Sequence, residues 1–160
     1  RIIVIGAPRN RLEMAEELGA TDTIDIAEYP EPEARVERVM ELTGGQGPDL
    51  VVEASGGLTA FQEGLEMVKR WGRYLVIGQW TDYGPLPVNP SLLTHKSIRI
   101  NGVYSAGPQH IIRSVQAMTL IMDKPVEKLI THRYTLETVN EGFAVHESME
   151  AMIPVILPNG

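Results

Sequence analysis

The sequence predicts an α/β fold, a Rossmann-like doubly wound parallel sheet. Three observations carry this. Short β-branched runs alternate with amphipathic helical periods, which implies right-handed crossovers between parallel strands. The runs are continuously apolar, as suits strands covered on both faces. Small residues follow run after run: Gly6-Ala7, Ala54-Ser55-Gly56-Gly57, Gly78 and Ser105-Ala106-Gly107.

The elements follow in order. Ile2 to Ile5 is a β-branched strand, and Leu12, Ala15 and Leu18 form a helical stripe that stops at Gly19, a glycine C-cap. A weaker strand is predicted over Thr23-Ile24-Asp25-Ile26. Pro30-Glu31-Pro32-Glu33 is a loop into a helix carrying Val36, Val39, Met40 and Thr43. Leu50-Val51-Val52 is a strand bounded by Pro48-Asp49 and Ser55-Gly56-Gly57. Leu58, Phe61, Leu65 and Val68 form the next stripe, with Thr59 and Gln62 spaced as a capping box. Tyr74 to Ile77 is a strand ending at Gly78, and Ile98 to Tyr104 is another, punctuated by Gly102.

After Tyr104 the rhythm changes. Ile111, Val115, Met118 and Met122 mark a helix ended by Asp123-Lys124-Pro125, and its methionines are expected in the core. Leu136, Val139, Phe143 and His146 mark the last helix, and Ile153 to Leu157 the last strand. Residues 1–104 are therefore expected to be a partial dinucleotide-binding domain, and residues 105–160 a C-terminal segment.

Composition narrows the function. A chain of 160 residues can bury one real core, and a net charge of -7 argues against a nucleic-acid partner. No apolar run approaches the roughly 20 residues that span a bilayer, so no membrane is expected. With no cysteine, disulfides and thiolate metal sites are excluded, and cytoplasm is the default compartment. The chain opens at Arg1 directly into an apolar strand, which predicts a fragment or a cleaved N-terminus.

Ligands of open α/β sheets bind beyond the carboxyl ends of the strands, where these small residues leave a trough in which a ligand can touch backbone. Glycines after strands also simply make turns. The phosphate fingerprint G-x-G-x-x-G is absent, since Gly45 and Gly47 precede a strand instead of following one. His95, His110, His132 and His146 share no ligand spacing, so no residue of this chain is assigned to catalysis or metal binding. His146 is expected to pack, and His132 to sit in a structural Ile-Thr-His turn. Glu53, at the end of a buried strand, is expected to bond a loop. Trp71 and Trp80 are expected in core or rim packing.

Three separated segments resemble one family. Arg11-Leu12-Glu13-Met14-Ala15-Glu16-Glu17-Leu18-Gly19-Ala20-Thr21-Asp22 resembles the second-strand helix of zinc-type medium-chain alcohol dehydrogenases. Thr43-Gly44-Gly45-Gln46-Gly47-Pro48-Asp49-Leu50-Val51-Val52-Glu53-Ala54-Ser55-Gly56 resembles their fourth strand and its approach loop. Leu129-Ile130-Thr131-His132-Arg133 and Val139-Asn140-Glu141-Gly142-Phe143 resemble their C-terminal region.

The resemblance implies NAD(P)-dependent oxidation of a small alcohol, or reduction of a carbonyl, by the parent protein. Zinc would be held by residues absent from this chain, and the isolated chain should be inactive. Residues carried over by position for the cofactor are Gly6, Ala7, Arg9 and Arg11 at the adenosine end and Ala54 and Ser55 beside the adenosine and ribose. Ile77, Gly78 and Gln79 run along the nicotinamide side, and Val103, Tyr104 and Ser105 lie at the carboxamide. Gly6 stands where NAD-specific members commonly hold an acid, and Arg9 and Arg11 follow, which favours a 2′-phosphate. The cofactor is thus NADP or NAD. Ile153 and Pro154 stand where many members place a basic residue on the pyrophosphate.

The resemblance also implies a homodimer through the edge strand 97–104, with Lys96 and Arg99 as its charges. The first family strand belongs between the second and the fourth. Its absence predicts a slot roughly 9 to 10 Å wide, unless the strand lies outside this sequence, the sheet closes or another chain fills it. A zinc-independent quinone oxidoreductase of the same superfamily, or a non-catalytic nucleotide-binding module, are the alternatives.

Overall fold

The computed structural model describes residues 1–79 and 81–159, so Trp80 lies outside the described residues. In chain order the elements are β1 (Ile3–Gly6), α1 (Arg9–Leu18), β2 (Asp22–Asp25), α2 (Pro32–Leu42), β3 (Leu50–Glu53), α3 (Ala60–Met67), β4 (Arg73–Val76), α4 (Ser91–Lys96), β5 (Arg99–Gly102), α5 (Pro108–Met118), β6 (Ile130–Tyr134), α6 (Val139–Glu147) and β7 (Ile153–Ile156). Every strand pairing is parallel: β1 with β2, β3 with β4, β4 with β5, and β6 with β7. The chain forms two compact units, Arg1–Ala27 with His110–Gly160, and Glu28–Gln109.

In the first unit, Ile3 lies opposite Asp22 and Gly6 opposite Asp25. The crossover α1 buries Leu12 and Met14, and its C-cap is Gly19 at φ 116°, as its position after the stripe predicts. β6 and β7 make a second parallel pair under α6. The Ile-Thr-His segment is therefore strand β6 and not a turn, and the ring of His132 stacks on Tyr134 at 6.2 Å. His146 does not pack inward either. It is exposed on the rim of an apolar hollow of about 370 Å³ with Phe143, Met152 and Pro154.

Helix α5 overturns another expectation. It forms where the period predicts it, but all its residues are exposed, with Met122 beyond its end 80% exposed. The methionines are not core: Met118 is 48% and Met122 80% exposed.

The second unit holds the sheet β3-β4-β5, with Leu50 opposite Arg73 and Arg73 opposite Arg99. Its core is Leu65, Met67, Val68, Val39 and Tyr74. The expectation of strands covered on both faces fails at β3. Its Leu50 and Val52 are exposed while Glu53 is buried, so only one face is covered by described residues. Among the described residues β1 pairs only with β2, and β3 only with β4.

Local chemistry explains the remaining differences. Helix α3 starts at Ala60, leaving Leu58 exposed, and no capping box forms. The Thr59 hydroxyl donates to Glu63 Oε1 at 2.6 Å, and Gln62 Nε2 donates to Glu66 at 2.7 Å. Both side chains thus bond acids one turn ahead. Lys96 is not an edge charge. Its ammonium donates to the carbonyls of Leu65 at 3.0 Å, Glu66 at 2.5 Å and Val68 at 3.0 Å, satisfying the negative end of α3.

Trp71 is neither core nor rim. It is 74% exposed and sits at φ 63°, a left-handed conformation unfavourable for a bulky L-residue. Left-handed backbone costs such a residue about 1–2 kcal/mol, and glycine returns about 0.5–1 kcal/mol of that as extra unfolded-state freedom. Trp71→Gly is therefore expected to stabilise the protein by roughly 0.5–1 kcal/mol. A denaturant midpoint that falls on this substitution contradicts the reading.

Candidate nucleotide site

The carboxyl ends of β3, β4 and β5 lie side by side in one unit. Val76 pairs with Glu53 on one flank and with Gly102 on the other, and Val103 N–H donates to Val76 O at 3.0 Å. Ala54, Ser55, Ile77, Gly78, Gln79, Val103, Tyr104 and Ser105 thus follow three adjoining strand ends.

The turns after β3 and β4 are pressed together. A Cβ on Gly56, which adopts φ +70°, would lie 2.8 Å from the carbonyl oxygen of Gly78. A Cβ on Gly78 would lie 2.5 Å from Gly56 N and 2.8 Å from Glu53 Oε2. Neither position admits a side chain, so the two turns meet main chain to main chain at this point. Gln79 Nε2 donates to Gly57 O at 2.8 Å, a second tie between the turns.

Glu53 anchors this arrangement. It is 4% exposed, and its Oε1 accepts three hydrogen bonds of 2.8 Å, from Ser55 N–H, the Ser55 hydroxyl and Gly56 N–H. Ser55 Oγ in turn accepts from Gly57 N–H at 3.1 Å. The Glu53 main-chain carbonyl accepts from Ile77 and Gly78 N–H at 2.9 and 3.0 Å. Glu53 Oε2 is buried with no hydrogen-bond partner. The expectation that Glu53 bonds a loop holds, and the loop is the turn directly after β3.

Gly6, Ala7, Arg9 and Arg11 belong to the other unit, at the end of β1 and the start of α1. Arg9 is exposed and lies 3.5 Å from Glu13 and 4.0 Å from Glu16. Arg11 turns away from solvent, and its Nη2 donates to Ala151 O at 3.2 Å while its Nε is buried without a partner. Beside it Asn10 Nδ2 donates to Glu150 O at 3.4 Å, and Asn10 Oδ1 is a buried acceptor without a donor. Asn10 is a polar contact that sequence reasoning missed, since nothing in its spacing marks it. A hollow of about 410 Å³ near the end of β4, lined by Phe61, Val76, Gln79, Tyr83 and Leu86, was equally invisible in the sequence. Ile153 and Pro154 lie in β7, opposite Ile130 and His132.

Among the described residues no three His, Asp or Glu side chains converge as a metal site, so a zinc ion has no ligand set among them. Among them, too, no helix is long and apolar enough to cross a membrane.

Parallel strands, helical crossovers and turns that meet main chain to main chain at the strand ends define a Rossmann-like α/β protein. Residues 1–120 match the family model described as zinc-binding dehydrogenase. The chain belongs to that family, which bears out the resemblance read from its sequence. It is 36% identical over 156 residues to 5-exo-hydroxycamphor dehydrogenase of Pseudomonas putida, covering 97% of this chain and 43% of that protein. To L-threonine 3-dehydrogenase of Bacillus licheniformis it is 28% identical over 164 residues, covering 99% and 44%. The crystal structure of an alcohol dehydrogenase from Thermotoga maritima superposes with a TM-score of 0.86 at 33% identity, covering 99% of this chain and 43% of that one. The chain thus spans under half the length of the relatives it matches.

Proposed function

We propose that this chain is the coenzyme-binding part of an NAD(P)-dependent zinc-type alcohol dehydrogenase or carbonyl reductase, and that it binds NADP or NAD at its strand ends. The observation that carries this is the Gly56–Gly78 contact. It brings the main chain of two adjoining parallel strand ends together at Gly56 and Gly78, where no side chain intervenes, a place at which a dinucleotide can lie against backbone. The fit is supported by the buried, unpartnered polar atoms of Glu53 and of Asn10 and Arg11 in the respective units.

Each segment has a part in this reading. Ala54 and Ser55 lie beside the ribose, Ile77, Gly78 and Gln79 along the nicotinamide, and Val103, Tyr104 and Ser105 present main chain to the carboxamide. Gly6, Ala7, Arg9 and Arg11 serve the adenosine end. The missing acid at Gly6 favours NADP, while Glu13 and Glu16 offset part of the Arg9 charge. Bound nicotinamide would supply a hydride carrier, and zinc, held by residues outside this chain, would polarise the substrate oxygen. The residues here bind and orient.

Functionally, residues 1–104 form the dinucleotide-binding part and residues 105–160 a returning segment. The exposed edge strand β5 serves a homodimer, and the compartment is the cytoplasm. The test is direct. The full-length protein is expected to reduce NADP+ or NAD+ with a small alcohol, and the 160-residue chain alone to turn over none. Turnover of any alcohol by the pure chain sinks the division of labour, and failure of the full-length protein to bind either coenzyme sinks the whole reading.

A further inference from the structure

The buried carboxylate of Glu53 does more than end a strand. A strand-end turn rich in glycine is flexible, because Gly56 and Gly57 lose more freedom on ordering than any other residue would. Something must hold that turn if it is to meet a ligand in one shape. Here one carboxylate oxygen takes three short hydrogen bonds, two of them from consecutive main-chain N–H groups of the turn. The same residue's carbonyl oxygen takes the first two N–H groups beyond β4. Both turns that meet main chain to main chain therefore hang from one residue. The second carboxylate oxygen lies 2.8 Å from where a Gly78 Cβ would be, so side chain and turn close on each other.

We propose that Glu53 is the positioning residue of the coenzyme site, ordering the Ser55–Gly57 turn against Gly78 before any coenzyme arrives. This rests on the function proposed above. The physical reason is preorganisation. A ligand that meets an ordered turn does not have to order it, so the cost appears in affinity when the anchor is lost. Once the coenzyme is bound, the turn is held by the ligand itself, and the chemical step is expected to be little affected.

The experiment uses the full-length protein and compares wild type with Glu53→Ala and Glu53→Gln. Three quantities are read: the Kd for NADPH and NADH by fluorescence titration, kcat at saturating coenzyme, and amide hydrogen exchange at Ser55 and Gly56. Glu53→Ala is expected to raise the coenzyme Kd at least tenfold, to leave kcat at saturation within about threefold, and to speed exchange at both amides. Glu53→Gln keeps an acceptor oxygen for the turn and is expected to restore the Kd to within about threefold of wild type. A merely structural role would lower stability without this split between Kd and kcat.

A Kd for Glu53→Ala within twofold of wild type overturns the proposal. If the wild-type protein binds neither coenzyme, the site reading fails, and the exchange data still decide the anchor: unchanged exchange overturns it and faster exchange upholds it. Should Glu53→Ala fail to fold, Ser55→Ala removes one of the three bonds and the support of Gly57 N–H without emptying the core. It is expected to raise the Kd several-fold, and an unchanged Kd with unchanged exchange overturns the proposal.

Discussion

Arg35→Ala is expected to destabilise the protein by about 3–5 kcal/mol, because it leaves a buried carboxylate without its cation. Arg35 and Glu63 are both buried, and they join helices α2 and α3 through a two-pronged contact. Arg35 Nε donates to Glu63 Oε2 and Arg35 Nη2 to Glu63 Oε1, each at 2.8 Å. The third nitrogen, Nη1, donates to the carbonyls of Tyr29 and Pro30 at 2.7 Å, and Thr59 donates to the same Glu63 oxygen. Every nitrogen of the guanidinium and both carboxylate oxygens are thus hydrogen-bonded, the kind of geometry in which a buried ion pair is tolerated. Replacing both partners by apolar residues of similar volume, Arg35→Met with Glu63→Leu, is expected to cost far less than either single truncation. A double-mutant cycle in urea measures this.

The pH dependence of that pair has a definite sign. Burial pushes the Glu63 carboxyl up, but the hydrogen bonds from Arg35 and Thr59 and the Arg35 charge together outweigh it, so the net shift is downward from the usual 4.5. A carboxyl depressed in the folded state contributes stability above its unfolded pKa and loses it as pH falls through the folded one. The wild-type protein is expected to lose this contribution as acid is added below about pH 4.5. In Arg35→Ala burial is no longer outweighed by the guanidinium, so that acid-side loss should shrink or reverse. Identical acid-side slopes for the two proteins contradict the assignment.

The sheet was legible in the sequence because its strands are written in β-branched runs bounded by Gly and Pro. Ile3–Gly6, Leu50–Glu53 and Arg73–Val76 fall within a residue of the expected spans. The strand ends of the candidate site were legible for the same reason, since glycine after a strand is a local signal. What stayed hidden depends on partners far along the chain. β6 reads as a turn until β7 pairs with it, and Lys96 reads as a surface charge until the end of α3 lies beneath it. The period of α5 is visible in Ile111 and Val115, but period alone does not say whether the apolar face is covered. The arginine in the middle of the α2 stripe is the most instructive case. Arg35 lies beside the apolar positions Val36 and Val39, and it is buried because Glu63 receives it, which no local pattern records.

Gly64→Ala is expected to cost about 1–3 kcal/mol, although in an exposed helix the same substitution would add stability. Glycine in the middle of α3 looks like a local weakness. The reason for it is Tyr74, whose ring lies across the helix at that point and is 1% exposed. A Cβ on Gly64 would overlap the Tyr74 hydroxyl oxygen and come within 2.5 Å of Cζ and 2.9 Å of Cε2. The hydroxyl has no room to yield, because it donates to the carbonyls of Ala60 at 3.2 Å and Phe61 at 3.0 Å on the same helix. Phe61 also stacks on the ring, with centroids 5.4 Å apart. Burial, and then the negative charges of Glu53 and Glu63, hold the phenol well above its ordinary pKa, so it remains a donor across the working pH range. The methyl group must push ring and helix apart, losing hydrogen bonds and packing together. In a Tyr74→Leu background the obstructing ring is gone, and adding Gly64→Ala is expected to be close to neutral or stabilising. If Gly64→Ala costs the same in both backgrounds, as read from urea midpoints at constant m-value, the close approach of Tyr74 is not what keeps glycine in this helix.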